Sequence, residues 1–443
     1  MKNEKSKAGI GRRGVLGAFA TASGSLILRS LATGIPASVL LNPLLANADT
    51  PAKGRMLILS SSSNGDPFNA NVPGTYEYGA NECFHSADPA MKKTAIQLGE
   101  KSSFAAKPWA MLPQKILDKT AFFHHATFTP VHGELNRVQK IMNSTEKNDM
   151  LISLISRELA AGLGTVQGDP VSLGASGGEL LSSAGRILGN VAPLSVRQAL
   201  GGVDGPLKSL TAMRDEQIDK IYDVYRERGT PTQLTLLDAW ANSRDQVRGI
   251  GQELVARLDA IDGNDQVNQV RCAAVLAAMN IAPVISLHLD FGRDNHNDTD
   301  FETETDSHLM SIPMLEDLMT QLDDLKTSGY LKNDVVIANL NVFGRTFKKK
   351  GAGGRDHNSG HHAMMLMGDG VKGGVVGGLQ PNNDGSDYIA SAIDSTTGEK
   401  GGDIPFEETL ASAGKTLGAV LGVAPDRLDK MIKGGKVVQS VVA

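Results

Sequence analysis

The sequence predicts an α/β fold, a central and mostly parallel β-sheet carrying a helical insertion. Three observations predict it. Five apolar runs, near 55–60, 119–128, 284–289, 334–340 and 363–367, have the length and composition of buried strands. Loops rich in Gly, Ser, Asn, Asp and Pro follow several of them. Amphipathic helical stretches separate others, and a helix that leads into a buried strand is the repeating unit of a parallel sheet.

The chain opens with a segment that reads as an export signal rather than fold. Lys2, Lys5, Lys7, Arg12 and Arg13 form a charged head, a mildly apolar stretch follows from Gly14, and Ala46-Asn47-Ala48 supplies an A-x-A cleavage signal. The pair Arg12-Arg13 directly before the apolar run is the twin-arginine pattern, with an ordinary Sec signal as the alternative. Arg29 and Pro36 interrupt the run, which argues against a membrane anchor that survives cleavage. The expectation is therefore a periplasmic or otherwise exported protein, with residues 1–48 removed and the Tat translocase as its partner during export. Replacing Arg12 and Arg13 together by lysine is expected to leave uncleaved precursor in the cytoplasm, as cell fractionation would show; unchanged export leaves only the Sec reading.

Residues 49–443 are read as one domain. The chain holds 44 basic and 49 acidic residues; six of the basic ones and one acidic one precede residue 49, so 38 and 48 remain, a net charge of −10. That balance excludes nucleic acid as the expected partner. The two cysteines, Cys83 and Cys272, lie far apart in sequence, and their pairing stays open.

RMLILSS (55–61) is a strand that breaks into a loop full of turn formers, where Asp66 is either a metal ligand or part of an Asp-Pro turn. KTAFFHHATF (119–128) is a second strand; His124 and His125 are adjacent, so they face opposite sides. His132 follows at a strand-to-helix junction, a better place for chemistry. From 146 to 280 the pattern becomes largely helical, with amphipathic spacing and i,i+4 charge pairs, and reads as an insertion or cap outside the sheet. APVISLHLDFG (282–292) returns to strand and ends in RDNHNDTDFETETDSH, in which Asp294 and His296 share a face if the segment is extended. Its acidic rhythm is partly that of a calcium loop, but the central Gly and the closing Glu are missing. An amphipathic helix (309–331) then leads to the strand DVVIANL.

The stretch Asn341 to His362 lies between that strand and the apolar run AMMLMGDG. It is Gly-rich and charged, and it holds three of the ten histidines. Strand-end loops are where α/β proteins converge reactive side chains. Asp356, His357, His361 and His362 offer metal ligands or proton carriers; Arg345 and Arg355 offer anion clamps. The alternative is a solvated basic loop.

Several short motifs, in order along the chain, resemble the exported bacterial family called domain of unknown function 1501, relatives of the alkaline phosphatases and sulfatases. They are the twin-arginine head, the first strand with Asp66, D-N-H (294–296) where the family shows W-D-T-H, FGRT (343–346) where it shows E-F-G-R-T, GGRDHN (353–358) and GDGVKGG (368–374). The resemblance implies an alkaline-phosphatase-like three-layer sandwich with its site at strand C-terminal ends. It also implies a divalent metal, zinc or manganese, with Asp66, Asp294, His296 and His357 as ligands and Arg345, Arg355 and His132 in catalytic roles. Val342 stands where the family has an acidic residue and Arg293 where it has an aromatic one, so half of a two-metal site is expected to be impaired.

Two functions follow from these readings. One is a metal-dependent hydrolase of phosphate or sulfate esters, taking a small anionic ester; no Ser or Thr is singled out as nucleophile. The other is a non-catalytic exported protein that keeps the fold to bind an anion, a glycan or a partner. A calcium-stabilised structural protein is a third, weaker reading.

Overall fold

The structure, a computed structural model, describes residues 55–77, 83–165, 167–174, 181–200, 252–348 and 353–443, with scattered positions between 216 and 234. The export signal and much of the 235–262 segment lie outside the described residues; Gln252–Asp259 within that segment is helical, as its periodicity predicts.

Seven strands form one sheet: β1 (Arg55–Ser60), β2 (Thr120–His125), β3 (Val171–Ser172), β4 (Val284–Leu287), β5 (Asp334–Asn339), β6 (His362–Gly368) and β7 (Gly374–Val376). Their order across the sheet is β7-β2-β6-β5-β1-β4-β3. β1 pairs in parallel with β4 and β5, β4 with β3, and β2 with β7. β6 alone runs against its neighbours β5 and β2. The five strands expected from the apolar runs are all present. The sheet is mostly parallel because MLIL, VISL and VVIA are buried and need cover on both faces.

Helix α1 (Leu151–Leu163) packs on β1 and β4, α2 (Gln266–Ala278) on β4, and α4 (Thr409–Val420) on β2; α3 (Glu302–Thr327) packs along α2. α2 starts at Asp265, whose carboxylate accepts from the Asn268 amide. α3 is opened by Asp298, whose two carboxylate oxygens accept from the amides of Thr303 and Glu304.

The 146–280 segment does not lie wholly outside the sheet. Val171–Ser172 is an edge strand of it, in parallel register with Ile285 and Ser286, and α2 covers β4. Two-residue strands carry too little apolar pattern to be seen in sequence. Cys83 and Cys272 are buried and form no disulfide with each other, and burial pushes the Cys272 thiol far up. Among the described residues no helix is long and apolar enough to cross a membrane.

The reversed direction of β6 has a functional consequence. The loops after β1, β2, β4 and β5 leave one edge of the sheet, and the loop that enters β6 reaches that same edge. Residues 61–71, 126–134, 288–301, 340–347 and 353–361 are thereby gathered in one place.

Candidate metal centre

Four side chains converge at that edge. His132, Asp294, His296 and His357 each offer one ligand atom, and these atoms lie within 4.8 Å of one another. Their segments follow β2, follow β4 and precede β6. A two-stranded hairpin, Gly344–Arg345 against His357–Asn358, places Arg345 opposite His357. The hairpin is closed on one side by the Thr346 amide donating to Asp356 O and the Asp356 amide donating to Thr346 Oγ1.

Protonation follows from the hydrogen bonds. His132 Nδ1 meets Ser63 O at 2.7 Å, and His357 Nδ1 meets Pro130 O at 2.5 Å. A carbonyl oxygen only accepts, so both Nδ1 atoms carry the proton and both Nε2 atoms carry a lone pair. His296 Nδ1 faces the Asp356 carboxylate at 3.6 Å, while Arg345 Nη1 donates to His296 Nε2 at 3.3 Å. His296 Nε2 also lies 2.8 Å from His357 Nε2. Desolvation and the Arg345 charge hold His357 below the usual imidazole range, so adding a proton there is unfavourable. Imidazole nitrogens and a carboxylate gathered around one point are the donor set of a divalent cation.

Two of the spacings are those of such a cation. Ligands held at about 2.0–2.1 Å in a tetrahedron are roughly 3.3 Å from one another. Asp294 Oδ1 is 3.3 Å from His296 Nε2, and Asp294 Oδ2 is 3.4 Å from His132 Nε2. Two of the three rings have the second nitrogen bonded to a backbone carbonyl, and the third faces a carboxylate, the arrangement that orients metal-binding imidazoles. Phe343 lies beside the group, with ring centroids 4.3 Å from His357 and 4.9 Å from His132. Gly65 makes room for it: Gly65 has φ +64°, and a Cβ there would fall 1.9 Å from the Phe343 ring.

The structure changes four expected roles. His132 faces Asp294 and joins the group that could share an ion, where the resemblance implies a catalytic role. Asp66 stays outside the cluster. It is completely buried beside Asp290, and burial together with that carboxylate pushes its pKa up to about 8, which keeps it protonated at neutral pH. Arg355 cannot clamp an anion. Its guanidinium is fully buried, and all five donors are spent, on both oxygens of Glu304 and on the carbonyls of Thr346, Phe347 and Phe84. Arg345 is equally buried; it donates to Gly65 O, to Asn64 O, to Asp294 at 2.8 Å and to His296. It holds the ligand loop instead of facing solvent.

The remaining histidines of the 341–362 stretch are not ligands of this centre. His361 and His362 are buried in the sheet with His124 and His125, and His362 pairs in register with His125. Asn341 and Val342 are buried too. Beside the centre, side chains between 294 and 303 line an open depression of about 430 Å³ whose charged lining is Asp294, Asp298, Asp300 and Glu302.

Residues 255–393 match the family described as Protein of unknown function (DUF1501). That span contains Asp294, His296 and His357 but not His132, and it covers less than half of the chain. No curated protein and no solved structure matches the chain.

Proposed function

We propose that this protein is an exported, alkaline-phosphatase/sulfatase-like metal-dependent hydrolase of phosphate or sulfate esters, with a single divalent centre held by His132, Asp294, His296 and His357. The convergence of three Nε2 atoms and one carboxylate within 4.8 Å of one another carries the reading. Three imidazoles with one carboxylate suit zinc better than manganese. The bound ion would supply Lewis-acid stabilisation of charge developing on a scissile ester. The chain's own residues orient it. Ser63 O and Pro130 O fix the tautomers of His132 and His357. Arg345 fixes the Asp294 carboxylate and leaves its second oxygen toward His132. The position that Val342 occupies offers no acidic group for a second ion.

A specific observation favours a second reading, a non-catalytic protein that binds through the same centre. Both arginines are committed internally, and the neighbouring depression presents carboxylates, which repel an anionic ester. Metal analysis of exported protein, followed by turnover of p-nitrophenyl phosphate and p-nitrophenyl sulfate, separates the two. About one zinc per chain with turnover supports the hydrolase. Zinc without turnover supports the binding protein, and no transition metal removes the centre. His357→Ala is expected to weaken zinc binding by at least 100-fold in a chelator competition, since one of four bonds and an oriented ring are lost.

A further inference from the structure

Behind the hairpin that carries Arg345 lies a line of buried polar side chains with one consistent direction. Asn69 is completely buried. Its Oδ1 accepts from the Arg345 amide at 2.8 Å, and its Nδ2 donates to Arg345 O at 2.9 Å. The same Nδ2 is 3.1 Å from His361 Nδ1. An amide nitrogen has two hydrogens and no lone pair to offer, so His361 Nδ1 must accept. His361 Nε2 then carries the proton and donates to His124 Nδ1 at 2.9 Å. His124 Nε2 in turn donates to Pro73 O at 2.9 Å. Every donor and acceptor is used once, and no other assignment satisfies them all.

The line ends on the backbone of a residue whose side chain touches two of the four ligands. Asn69 grips both backbone groups of Arg345 as a neighbouring strand would. Gly344 makes the approach tight: a Cβ there would fall 2.2 Å from His361 O and 2.7 Å from Asn69 Cγ. The charged and titratable groups nearest the two histidines are His125 and His362, so nothing anionic competes for their protons.

We propose that Asn69, oriented by His361 and His124, is a positioning residue that sets where the Arg345 guanidinium meets Asp294 and His296. This rests on the metal-centre reading, but it can be tested apart from it. Burial alone does not require the arrangement; an apolar residue would fill the space without gripping Arg345 at both backbone groups.

The test is Asn69→Ala in the exported protein, read by two measurements. The first is hydrogen exchange of the peptide spanning 341–347, which needs no metal. Loss of the Oδ1 acceptor is expected to speed exchange at Arg345 by at least tenfold. The second is zinc affinity by competition with a chromophoric chelator, expected to weaken by roughly tenfold, as for other partners that orient ligands. Leu154→Ala, in the core of α1, serves as a destabilised control. Asn69→Asp keeps the acceptor for the Arg345 amide but loses both donors. It should protect that amide while still weakening zinc binding, and it serves if the alanine variant does not fold. Unchanged exchange in Asn69→Ala overturns the proposal. Equal acceleration in Leu154→Ala does so too, because the effect would then be general loosening. Unchanged zinc affinity in protein that binds zinc also overturns it. If the wild type binds no zinc, the centre falls and the exchange result alone decides the positioning role.

Discussion

Arg355→Ala is expected to cost about 3–5 kcal/mol of unfolding free energy, the range for removing one partner of a buried ion pair. The loss comes less from the pair itself than from what remains. Glu304 is completely buried, and its carboxylate accepts from Arg355 Nε at 2.9 Å, Arg355 Nη2 at 3.1 Å, Asn71 at 2.6 Å and Asn295 at 3.0 Å. Without the guanidinium a charge stays in the interior with two amides for company, and the carbonyls of Phe84, Thr346 and Phe347 lose a donor. Replacing both partners, Arg355→Met with Glu304→Gln, is expected to recover part of the loss, because no charge is then stranded. Urea unfolding measures both variants. A loss below about 1 kcal/mol in Arg355→Ala would show that water reaches Glu304, contrary to its burial.

Acid is expected to destabilise the protein well above the range where carboxylates titrate. Burial holds His124 and His125 down at about 4, and His361 and His362 well below the ordinary value. The hydrogen bonds give the same sign. His361 and His124 each use Nδ1 as an acceptor, and so does His125 Nε2, which faces His362 Nδ1 at 3.4 Å. A proton added there removes a bond and buries a charge. The unfolded chain takes up protons near pH 6.5 and the folded chain does not, so stability is full above that pH and falls as pH drops toward 4. Asp66 opposes this with one group, because its raised pKa favours the folded state at lower pH. Burial lowers His85, His288 and His308 as well, and Asp387 is raised to about 6, so the histidines outnumber the carboxyls; each net proton is worth about 1.4 kcal/mol per pH unit. Against a typical total of about 5–15 kcal/mol, a few net protons over two pH units remove a large part of the stability. The urea midpoint should fall steeply between pH 6.5 and 5, and His362→Gln should flatten the slope. A midpoint independent of pH over that window would mean that the histidines are solvated or already charged.

Much of the sheet was legible because its central strands are unbroken apolar runs. MLIL, AFF, VVIA and MMLM can be little else once their flanking turns are seen. Direction was not legible: an apolar run has no polarity, and nothing in HAMMLMG says that β6 runs backward. β3 and β7 escaped notice because two or three residues beside glycines carry no periodicity. At the site, the two-residue spacing of Asp294 and His296 put them on one face and His357 stood as one of four candidates in its loop; the resemblance grouped the three. His132 was noticed at its strand-to-helix junction, but its partner Asp294 is far away in sequence, and only the fold brings the two together. Arg355 misled because a guanidinium beside Gly and His looks like an anion clamp. Its partner Glu304 sits inside an acidic run whose rhythm is partly that of a calcium loop.

An ion held by these four side chains would also act as a cross-link. His132 and Asp294 are separated by about 160 residues and Asp294 and His357 by about 60, spans whose closure in an unstructured chain costs several kcal/mol. No unfolded segment can assemble the clasp in advance, since it needs β2, β4 and β6 already docked side by side. The ion would thus be captured only by a finished fold, and its loss would loosen three distant stretches together. A chelator should then shorten the lifetime of the native protein as well as its function, and a chain exported in the folded state would have to be loaded before it leaves.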